Sequence, residues 1–192
     1  ANVDCKPEYL KQFAIMGSIY SEKVLKVEAP RVGLVNIGTE RGKGNQLVQK
    51  AYELIENSNL NFIGNVEARD IPAGVADVLV CDGFVGNIIL KLTEGMAKSL
   101  FSSLKEEFNK TFQSKVGAIL LRKQLMNFKG MLDYREYGGA PLLGLKKPVV
   151  KAHGSSDSRA IYNTIRQAAT MVEHDIVNVM KKAILESQKE QE

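Results

Sequence analysis

VGLVNIGTERGKGN, the stretch that runs from Val32 to Asn45, sets a short apolar run before a glycine-rich turn and a helical pattern. The same order recurs from Val75 to Asn87 (VADVLVCDGFVGN) and from Pro148 to Asp157 (PVVKAHGSSD). A strand, a glycine turn and a helix start together direct free backbone N–H groups and the positive end of the helix dipole at an anion. Three such junctions in one chain predict a site for phosphate or for a phosphate-bearing ligand.

Around these junctions, the hydrophobic period changes repeatedly between strand-like and helix-like segments. We predict helices over residues 7–24, 45–57, 83–110, 114–129 and 156–187, and strands over 32–37, 59–64, 76–80 and 149–151. This alternation is typical of an α/β fold with an open, mostly parallel sheet. Ligands of such sheets bind beyond the carboxyl ends of the strands, where all three glycine junctions are expected to lie.

The composition predicts a single domain, residues 1–192, that works in the cytoplasm. With 192 residues and a hydrophobic content of 44%, the chain is long enough to bury a substantial core. A net charge of +4 permits anionic partners but is too mild to indicate nucleic-acid binding. Cys5 and Cys81 are isolated, as in a reducing cytosol, and no apolar run predicts a transmembrane helix or a signal peptide.

The first junction departs from the known nucleotide-binding loops. The spacing of Gly38 and Gly42 is one residue short for a Walker loop, and the GxGxxG fingerprint is absent. What remains is Lys43 between Gly42 and Gly44, followed by Asn45 at the predicted helix start. Either this segment is a flexible turn with a solvated lysine, or Lys43 and its neighbours bind a phosphate or an oxyanion.

The second junction places Asp82, Gly83 and Gly86 before Asn87, one turn into a predicted helix. Asp82 and Gly83 are also ordinary helix-entry residues, since an aspartate caps free N–H groups. Asn87 is harder to explain structurally, because asparagine is a poor helix former. Its amide could donate a hydrogen bond to an oxyanion.

The third junction and the loop before it supply further candidates. Gly138 and Gly139 lie in YGGAPLLG (137–144), which is either a connecting loop or a segment in contact with a ligand or another chain. His153 follows a predicted strand and precedes Ser155, and either it is structural or it transfers a proton. His174 lies in the last predicted helix and is interpreted as a surface or interface residue.

Other reaction classes lack their sequence motifs. The chain has no HExxH motif, no Cys/His cluster and no spaced set of carboxylates, so neither a metal nor a cofactor is expected. Ser155 does not lie in a GxSxG motif, which argues against a serine hydrolase.

Residues 96–131 predict a basic and strongly apolar helical hairpin inserted in the domain. Seven lysines and arginines face only Glu106 and Glu107, and phenylalanine, leucine and methionine side chains alternate with them. Such a hairpin could pack in a dimer interface, lie on an anionic membrane or bind an acidic protein. A buried face with ordinary solvated lysines is the remaining alternative.

Several blocks in one order resemble a known family. GTERGKGN, FIGNVEARDI, ADVLVCDGFVGNIILK, DYREYGGAPLLGLKKPVVKAHGSSD and IYNTIRQA resemble the bacterial phosphate acyltransferases of the PlsX family over essentially the whole chain. The resemblance implies transfer of a fatty acyl group from acyl carrier protein to inorganic phosphate for phospholipid synthesis. It also implies a three-layer αβα fold like phosphotransacetylase and isopropylmalate dehydrogenase, a homodimer, and peripheral membrane association.

The implied reaction suggests a role for each candidate residue. Lys43 would bind phosphate or the oxyanion, and Asn87 would polarise the thioester carbonyl or orient the phosphate; His153 is a weaker catalytic candidate. The remaining candidates would form the phosphate and substrate pocket: Gly42, Gly44, Asn45, Asp82, Gly83, Gly86, Gly138, Gly139 and Ser155. The basic hairpin would dock the acidic carrier protein, the membrane or both. A glycerol-3-phosphate acyltransferase is a further expected partner downstream.

The resemblance also leads us to expect that the chain is the C-terminal part of a larger enzyme. Members of the family carry a preceding segment with an Asp-Ala-Met-Gly-Gly-Asp motif, which is not in this sequence. Two alternatives from other classes stay open. One is an oxidoreductase of the isopropylmalate dehydrogenase type, and the other is a non-catalytic module that binds a membrane or an acidic protein.

Overall fold

A computed structural model describes residues 2–131 and 138–189 of the chain. The helices are α1 (Pro7–Lys23), α2 (Gln46–Glu56), α3 (Gly83–Asn109), α4 (Phe112–Leu120), α5 (Arg122–Met131), α6 (Ser158–Glu173) and α7 (Ile176–Lys189). The strands are β1 (Val32–Asn36), β2 (Phe62–Glu67), β3 (Val78–Val80), β4 (Ala140–Pro141) and β5 (Val150–Lys151). A short 3₁₀ helix, Ala68–Ala73, follows β2.

Three parallel strands form the main sheet in the order β2–β1–β3. The central strand β1 is buried along its whole length, as its run of β-branched and small residues predicts. In this register Leu34 is paired with Asn65 on one side and with Val80 on the other. The parallel sheet and its connecting helices confirm the predicted α/β fold class.

The first core cluster lies between the sheet, α1 and α2. Its buried members are Leu10, Ala14, Val32, Leu34, Ala51, Ile55 and Val80. Gly17 allows α1 to approach the sheet closely, because a Cβ atom there would lie 2.6 Å from a methyl carbon of Val78. These contacts fix the strand ends from which the candidate residues project.

A second cluster joins the last two helices to the opposite side of α1. It consists of Met16, Met171, Ile176 and Met180. The single helix predicted for 156–187 is wrong, since the chain breaks between α6 and α7, where Asp175 adopts a left-handed φ of 48°. The break turns α7 back against α1, which a continuous helix could not achieve.

The hairpin predicted for residues 96–131 corresponds to the second half of α3 together with α4 and α5, and we call these three helices the hairpin. No residue of α3 or α4 is buried, and four α3 residues at a spacing of four leave an apolar stripe exposed: Ile88, Leu92, Met96 and Leu100. The predicted second helix, 114–129, is in fact two helices that meet at Leu121. Thr111 and Ser114 form a capping box that starts α4 two residues earlier than predicted.

Strands β4 and β5 pair with each other in a separate antiparallel ribbon. The expectation that all three glycine junctions lie beyond one parallel sheet is therefore wrong for the third, which follows β5. Tyr137, the first residue of the predicted glycine loop, lies outside the described residues. Within the described part of the chain, none of the helices combines the length and the apolar character needed to cross a membrane.

Candidate functional site

The first two glycine junctions lie at the same edge of the parallel sheet. Because β1 and β3 are adjacent and parallel, with Leu34 opposite Val80, the chain leaves both strands in the same direction. The glycine loop (residues 38–44) follows β1, and the start of α3 follows β3. This placement brings the segments that carry Lys43 and Asn87 to neighbouring positions, as the sequence predicted for these two junctions.

Two buried asparagines hold the glycine loop from below. Asn36, at the end of β1, donates from Nδ2 to the carbonyl of Lys43 over 3.0 Å. Asn65, in the neighbouring strand β2, donates from Nδ2 to the carbonyl of Glu40 over 2.9 Å. Buried amides of this kind stay stable only when their polar groups are paired, so they anchor the loop to the sheet.

A third amide fixes the loop from the side of α2. Gln49 Nε2 donates to the carbonyl of Gly42 over 2.7 Å and to that of Gly44 over 3.1 Å. Gly44 has a φ of +91°, and a Cβ atom there would lie 2.5 Å from Oδ1 of Asn36. Only glycine therefore meets both the backbone conformation and the close approach at this position.

The three amides together orient the peptide planes of the loop. Four loop carbonyls face protein amides, and in a planar trans peptide the N–H group points opposite to the carbonyl. The N–H group of Lys43 itself is bonded to the Glu40 carbonyl at 3.1 Å. The other N–H groups of these planes, on Arg41, Gly44 and Asn45, are turned away from the amides. These three N–H groups are the candidate donors of the loop to a bound anion.

The two cations of the loop have different surroundings. Arg41 is engaged, with Nη2 2.6 Å from a carboxylate oxygen of Glu56 and its guanidinium over the ring of Tyr52. Lys43 is half exposed, and its Nζ lies 3.8 Å from a carboxylate oxygen of Glu40. A pair at that distance in solvent is weak, so Lys43 is the cation that an incoming anion can recruit.

Asn45 caps helix α2. Its side-chain Oδ1 accepts a hydrogen bond from the N–H group of Val48 at 3.0 Å. The side-chain oxygen predicted for ligand binding therefore serves the helix, and only the amide nitrogen and the backbone N–H group remain to support that role.

The start of α3 is closed by the protein itself. Asp82 Oδ1 accepts from the Val85 N–H group at 2.8 Å, and its carbonyl accepts from Gly86 at 3.0 Å. The N–H group of Gly83 donates to the carbonyl of Asn2 at 2.7 Å. The predicted anion pocket from the N–H groups of Gly83 and Gly86 therefore needs correction, because both already donate within the chain. Gly86 has a packing role, since its Cβ would lie 3.1 Å from the Cys81 sulfur.

Asn87 is exposed in α3, one turn after its first residue. Cys81 directly follows the last residue of β3. Burial, with smaller contributions from the charge of Asp82 and from the Cys5 thiol, raises the pKa of Cys81 to about 11. The thiol is therefore protonated at neutral pH and is not a ready nucleophile. Asn87 remains a neutral donor at the edge of the sheet.

The third junction belongs to the ribbon of β4 and β5. His153 is exposed, and its Nδ1 accepts from the Ser155 N–H group at 3.2 Å and lies 2.8 Å from the Ser155 hydroxyl. A neutral His153 therefore carries its proton on Nε2. The parallel sheet does not bring these two residues to the edge that carries Lys43, and their predicted roles stay predictions.

Gly138 and Gly139 are explained by packing. Gly138 has a φ of +88°, and a Cβ atom there would lie 2.5 Å from the backbone nitrogen of Thr164 in α6. At Gly139 a Cβ atom would lie 2.7 Å from the carbonyl oxygen of Lys151. Gly138 is needed for the chain before β4 to approach α6, and Gly139 is needed for the chain to pack closely on β5, whether or not a ligand also contacts them.

His174, predicted to be a surface or interface residue, is partly buried where α6 ends. Its Nε2 lies 2.6 Å from the Nζ of Lys26, and its Nδ1 lies 3.1 Å from the carbonyl of Thr170. The imidazole therefore connects α6 to the segment after α1 and takes no part in the sheet edge. Among residues 2–131 and 138–189, no group of three or more His, Cys, Asp and Glu side chains is arranged to hold a metal ion.

The sequence interpretation missed the three amides that hold the loop: Asn36, Gln49 and Asn65. Asn36 was visible as a polar residue at the end of an otherwise apolar strand, which is a signal for a buried hydrogen-bonding role. Asn65 was not, because the strand predicted over 59–64 is observed as β2 at Phe62–Glu67. Which loop they hold becomes clear only when β1 and β2 are seen to be neighbours.

Comparison with known proteins identifies relatives along nearly the whole chain. A family model described as "Fatty acid synthesis protein" matches residues 1–179. A phosphate acyltransferase of Thermoanaerobacterium thermosaccharolyticum is 57% identical over 184 residues, which cover 96% of this chain and 55% of the relative. One from Oceanobacillus iheyensis is 59% identical over 176 residues, covering 92% and 53%. One from Brevibacillus brevis is 54% identical over 184 residues, covering 96% and 55%.

The chain thus spans about half the length of the curated relatives it matches. The match is continuous through the glycine loop, the start of α3, the hairpin and the ribbon, and this agrees with the resemblance seen in the sequence. On the extent of this match, the chain belongs to the family of fatty acid synthesis proteins.

Proposed function

We propose that the full-length protein transfers a fatty acyl group from the thioester of acyl carrier protein to inorganic phosphate, giving an acyl phosphate. The relatives are named phosphate acyltransferases, and this name supports acyl transfer to phosphate over the oxidoreductase alternative. The observation that carries the proposal is the sheet edge. There the glycine loop after β1 and the exposed Asn87 after β3 follow neighbouring parallel strands at the same edge of the sheet, which supports a shared site.

The reaction needs an anion held against an electrophile and little else. A phosphate oxygen attacks the thioester carbonyl carbon, the C–O bond forms, and the carbonyl oxygen becomes an oxyanion. When the oxyanion collapses, the C–S bond breaks and the carrier thiolate leaves, to be protonated by solvent. Positioning of the phosphate and stabilisation of the oxyanion account for rate in such a reaction.

The glycine loop supplies the phosphate site in this proposal. Its outward N–H groups and the half-exposed ammonium of Lys43 provide the donors and the charge. When phosphate binds, it takes the place of the distant Glu40 carboxylate beside Lys43. Asn87, a neutral donor, supplies a hydrogen bond to the thioester oxygen as it gains charge. His153 stays a weaker catalytic candidate and Ser155 a candidate for binding phosphate or substrate, although both follow β5 of the separate ribbon.

The test is phosphate-dependent release of free carrier thiol by the full-length protein. We expect Lys43→Ala to lower kcat/KM by roughly 10²-fold or more, the scale found when an oxyanion donor is removed. The KM for phosphate should rise, because the loop would lose its charge. The unfolding midpoint should stay unchanged, since the Lys43 side chain is half exposed.

Lys50→Ala is the matched control, because Lys50 is an exposed lysine on the adjacent helix α2 and is not among the residues that hold the loop by hydrogen bonds. It should keep wild-type activity. Activity of Lys43→Ala within a few-fold of wild type would contradict the anion role of this lysine. A wild-type protein that releases thiol equally well without phosphate would contradict the reaction itself.

The hairpin is the surface that we propose for binding the partners of this reaction. We propose that the exposed apolar stripe on α3 pairs two copies of the protein into a homodimer, because it presents four large side chains at helical spacing without a cover in the described chain. The basic residues of the hairpin would face the acidic carrier protein, anionic phospholipids at the cytoplasmic membrane surface, or both. A glycerol-3-phosphate acyltransferase that consumes the acyl phosphate would then work at the same surface.

A further inference from the structure

The glycine loop carries one acidic residue, Glu40, within its sequence GTERGKGN. The carboxylate of Glu40 is folded back over the loop. One of its oxygens lies 3.8 Å from the Nζ of Lys43, and a Cβ atom at Gly38 would lie 2.8 Å from the other oxygen. A negative charge therefore lies beside the cation to which we assign the phosphate.

The main chain of Glu40 is fixed, whereas its side chain is largely exposed and can change rotamer. The Glu40 carbonyl accepts a hydrogen bond from Nδ2 of the buried Asn65 at 2.9 Å. It accepts a second bond from the N–H group of Lys43 at 3.1 Å. Because Asn65 belongs to β2, these bonds tie Glu40 to the sheet and to Lys43. Rotation of the side chain moves the carboxylate without removing the residue from the loop.

A carboxylate in an anion site is unfavourable unless the anion brings a proton. Like charges repel at short range, and an ionised carboxylate can only accept hydrogen bonds. Inorganic phosphate keeps at least one proton at neutral pH and can donate it. Sulfate has the same tetrahedral shape but keeps no proton. A site that pairs with a hydroxyl group of its ligand rejects an analogue without that group, because the polar group of the site is left unpaired.

We propose, on the basis of the reaction above, that Glu40 determines anion specificity by accepting a hydrogen bond from the P–OH group of hydrogen phosphate. The space between Glu40 and Lys43 is too narrow for a phosphate, so the exposed carboxylate turns aside as the anion takes its position beside the ammonium. The carboxylate then faces the protonated oxygen, while Lys43 and the loop N–H groups hold unprotonated oxygens. Sulfate meets the same carboxylate with no proton to share.

Inhibition by sulfate measures this selection in the thiol-release assay of the full-length protein. The assay is run at mildly alkaline pH, where phosphate is a dianion that still carries one proton. The inhibition constant of sulfate should exceed the KM for phosphate at least about tenfold. Arsenate, which keeps a proton as phosphate does, should replace phosphate and support thiol release. Calorimetric titration with phosphate and with sulfate, without the acyl donor, should give the same preference from binding alone.

Glu40→Gln distinguishes the hydrogen bond from the charge. Removing one negative charge favours both dianions alike, so a purely electrostatic role would leave the ratio of the sulfate constant to the phosphate constant unchanged. We expect this ratio to fall toward one, because the new amide can donate to sulfate. Glu40→Asp keeps the carboxylate and should keep most of the preference for phosphate.

Glu53→Gln is the matched control, since it removes the same charge from an exposed residue of α2 outside the glycine loop. It should keep the wild-type ratio. The unfolding midpoint of Glu40→Gln should equal that of the wild type, because the Glu40 side chain is exposed.

Two outcomes would overturn this role of Glu40. They are a wild-type protein that binds sulfate as tightly as phosphate, and a Glu40→Gln variant whose ratio equals that of the wild type. Both leave the proposed reaction standing if thiol release still depends on phosphate. Thiol release without phosphate would contradict the reaction, and the calorimetric ratio would then still decide the role of Glu40. A lack of binding of either anion would contradict both.

Discussion

The glycine loop and the helical hairpin differ in where their partners come from. The loop is held by hydrogen bonds within the chain, whereas the apolar surface of the hairpin has no cover within the described residues. In the loop, the buried amides of β1 and β2 and a partly buried amide of α2 hold four carbonyl oxygens, and the charged side chains remain at the surface. In the hairpin, α3 and α4 have no buried residue, and large apolar side chains face outward. Hydrogen bonds need fixed partners, so a polar site has to be built within one chain. Apolar surface can be covered by any molecule of suitable shape, so the hairpin is where we look for partners.

Asn87→Asp should have the largest effect at the loop side of this comparison. The substitution keeps the shape of the side chain but places a negative charge where the phosphate and the oxyanion are proposed to lie. We expect turnover to be abolished in the phosphate-dependent thiol-release assay, because like charges repel at short range. Asn87→Ala removes only a donor and should be milder. If the aspartate variant is as active as the wild type, Asn87 does not face the anion.

The two regions should also differ in how much they stabilise the fold. Leu34 is fully buried in β1, so Leu34→Ala should lower the free energy of unfolding by roughly 2–5 kcal/mol. Leu120 is 75% exposed at the end of α4, so Leu120→Ala should change it by less than about 0.5 kcal/mol. Urea unfolding of both variants makes the measurement. A large loss at Leu120 would show that another surface covers the hairpin in solution.

The next largest effect is expected for binding to anionic vesicles, which depends on the hairpin and not on the glycine loop. Leu120 and Leu121 are both exposed where α4 meets α5. Replacing both with glutamate removes insertable apolar surface and adds charge repulsion, so the variant should leave anionic vesicles in a flotation assay. Phosphate-dependent activity on dispersed substrate should remain. Unchanged vesicle binding would return this part of the hairpin to internal packing, whereas loss of the dimer would assign it to the subunit interface.

The smallest effect concerns pH, at the edge of the sheet opposite the loop. Side-chain and backbone hydrogen bonds from Arg31, with its charge, lower the pKa of Asp77 from 3.8 to about 2. A carboxylate with a depressed pKa stabilises the folded state fully above the ordinary value and loses that contribution as the pH falls through 2. The wild type should therefore lose its advantage over Asp77→Asn between about pH 4 and pH 2. A gap in urea midpoint that does not change over that range would rule out this linkage.

Local sequence patterns were enough to predict the strand and the helix start next to the loop. The features that the sequence did not predict depend on contacts between distant parts of the chain. Val32–Asn36 and the α3 start at Gly83 follow directly from an apolar run and an aspartate cap. The turn at Asp175 carries neither glycine nor proline, and the buried stripe continues beyond it, so the 3.6-residue period gives no sign of the break.

The candidate site was also predicted only in part. Lys43 and Asn87 were recognised because each follows a predicted strand along the chain, so that no knowledge of strand pairing was needed. The hydrogen bond from Asn65 to Glu40 was not, because it depends on the pairing of two strands that are separated by α2. The backbone of Gly83 was misassigned for the same reason, since its partner is the carbonyl of Asn2, far away in the chain.

The position of α1 has a consequence for the order in which the chain folds. One side of α1 packs against the sheet, and the other packs against α7, where the buried Lys11 donates to the carbonyl of Ser187. Closing so long a loop is entropically costly and slow. During synthesis on the ribosome, the strands β1, β2 and β3 can assemble on α1 early. The side of α1 that carries Met16 then stays uncovered until α6 and α7 have been synthesised.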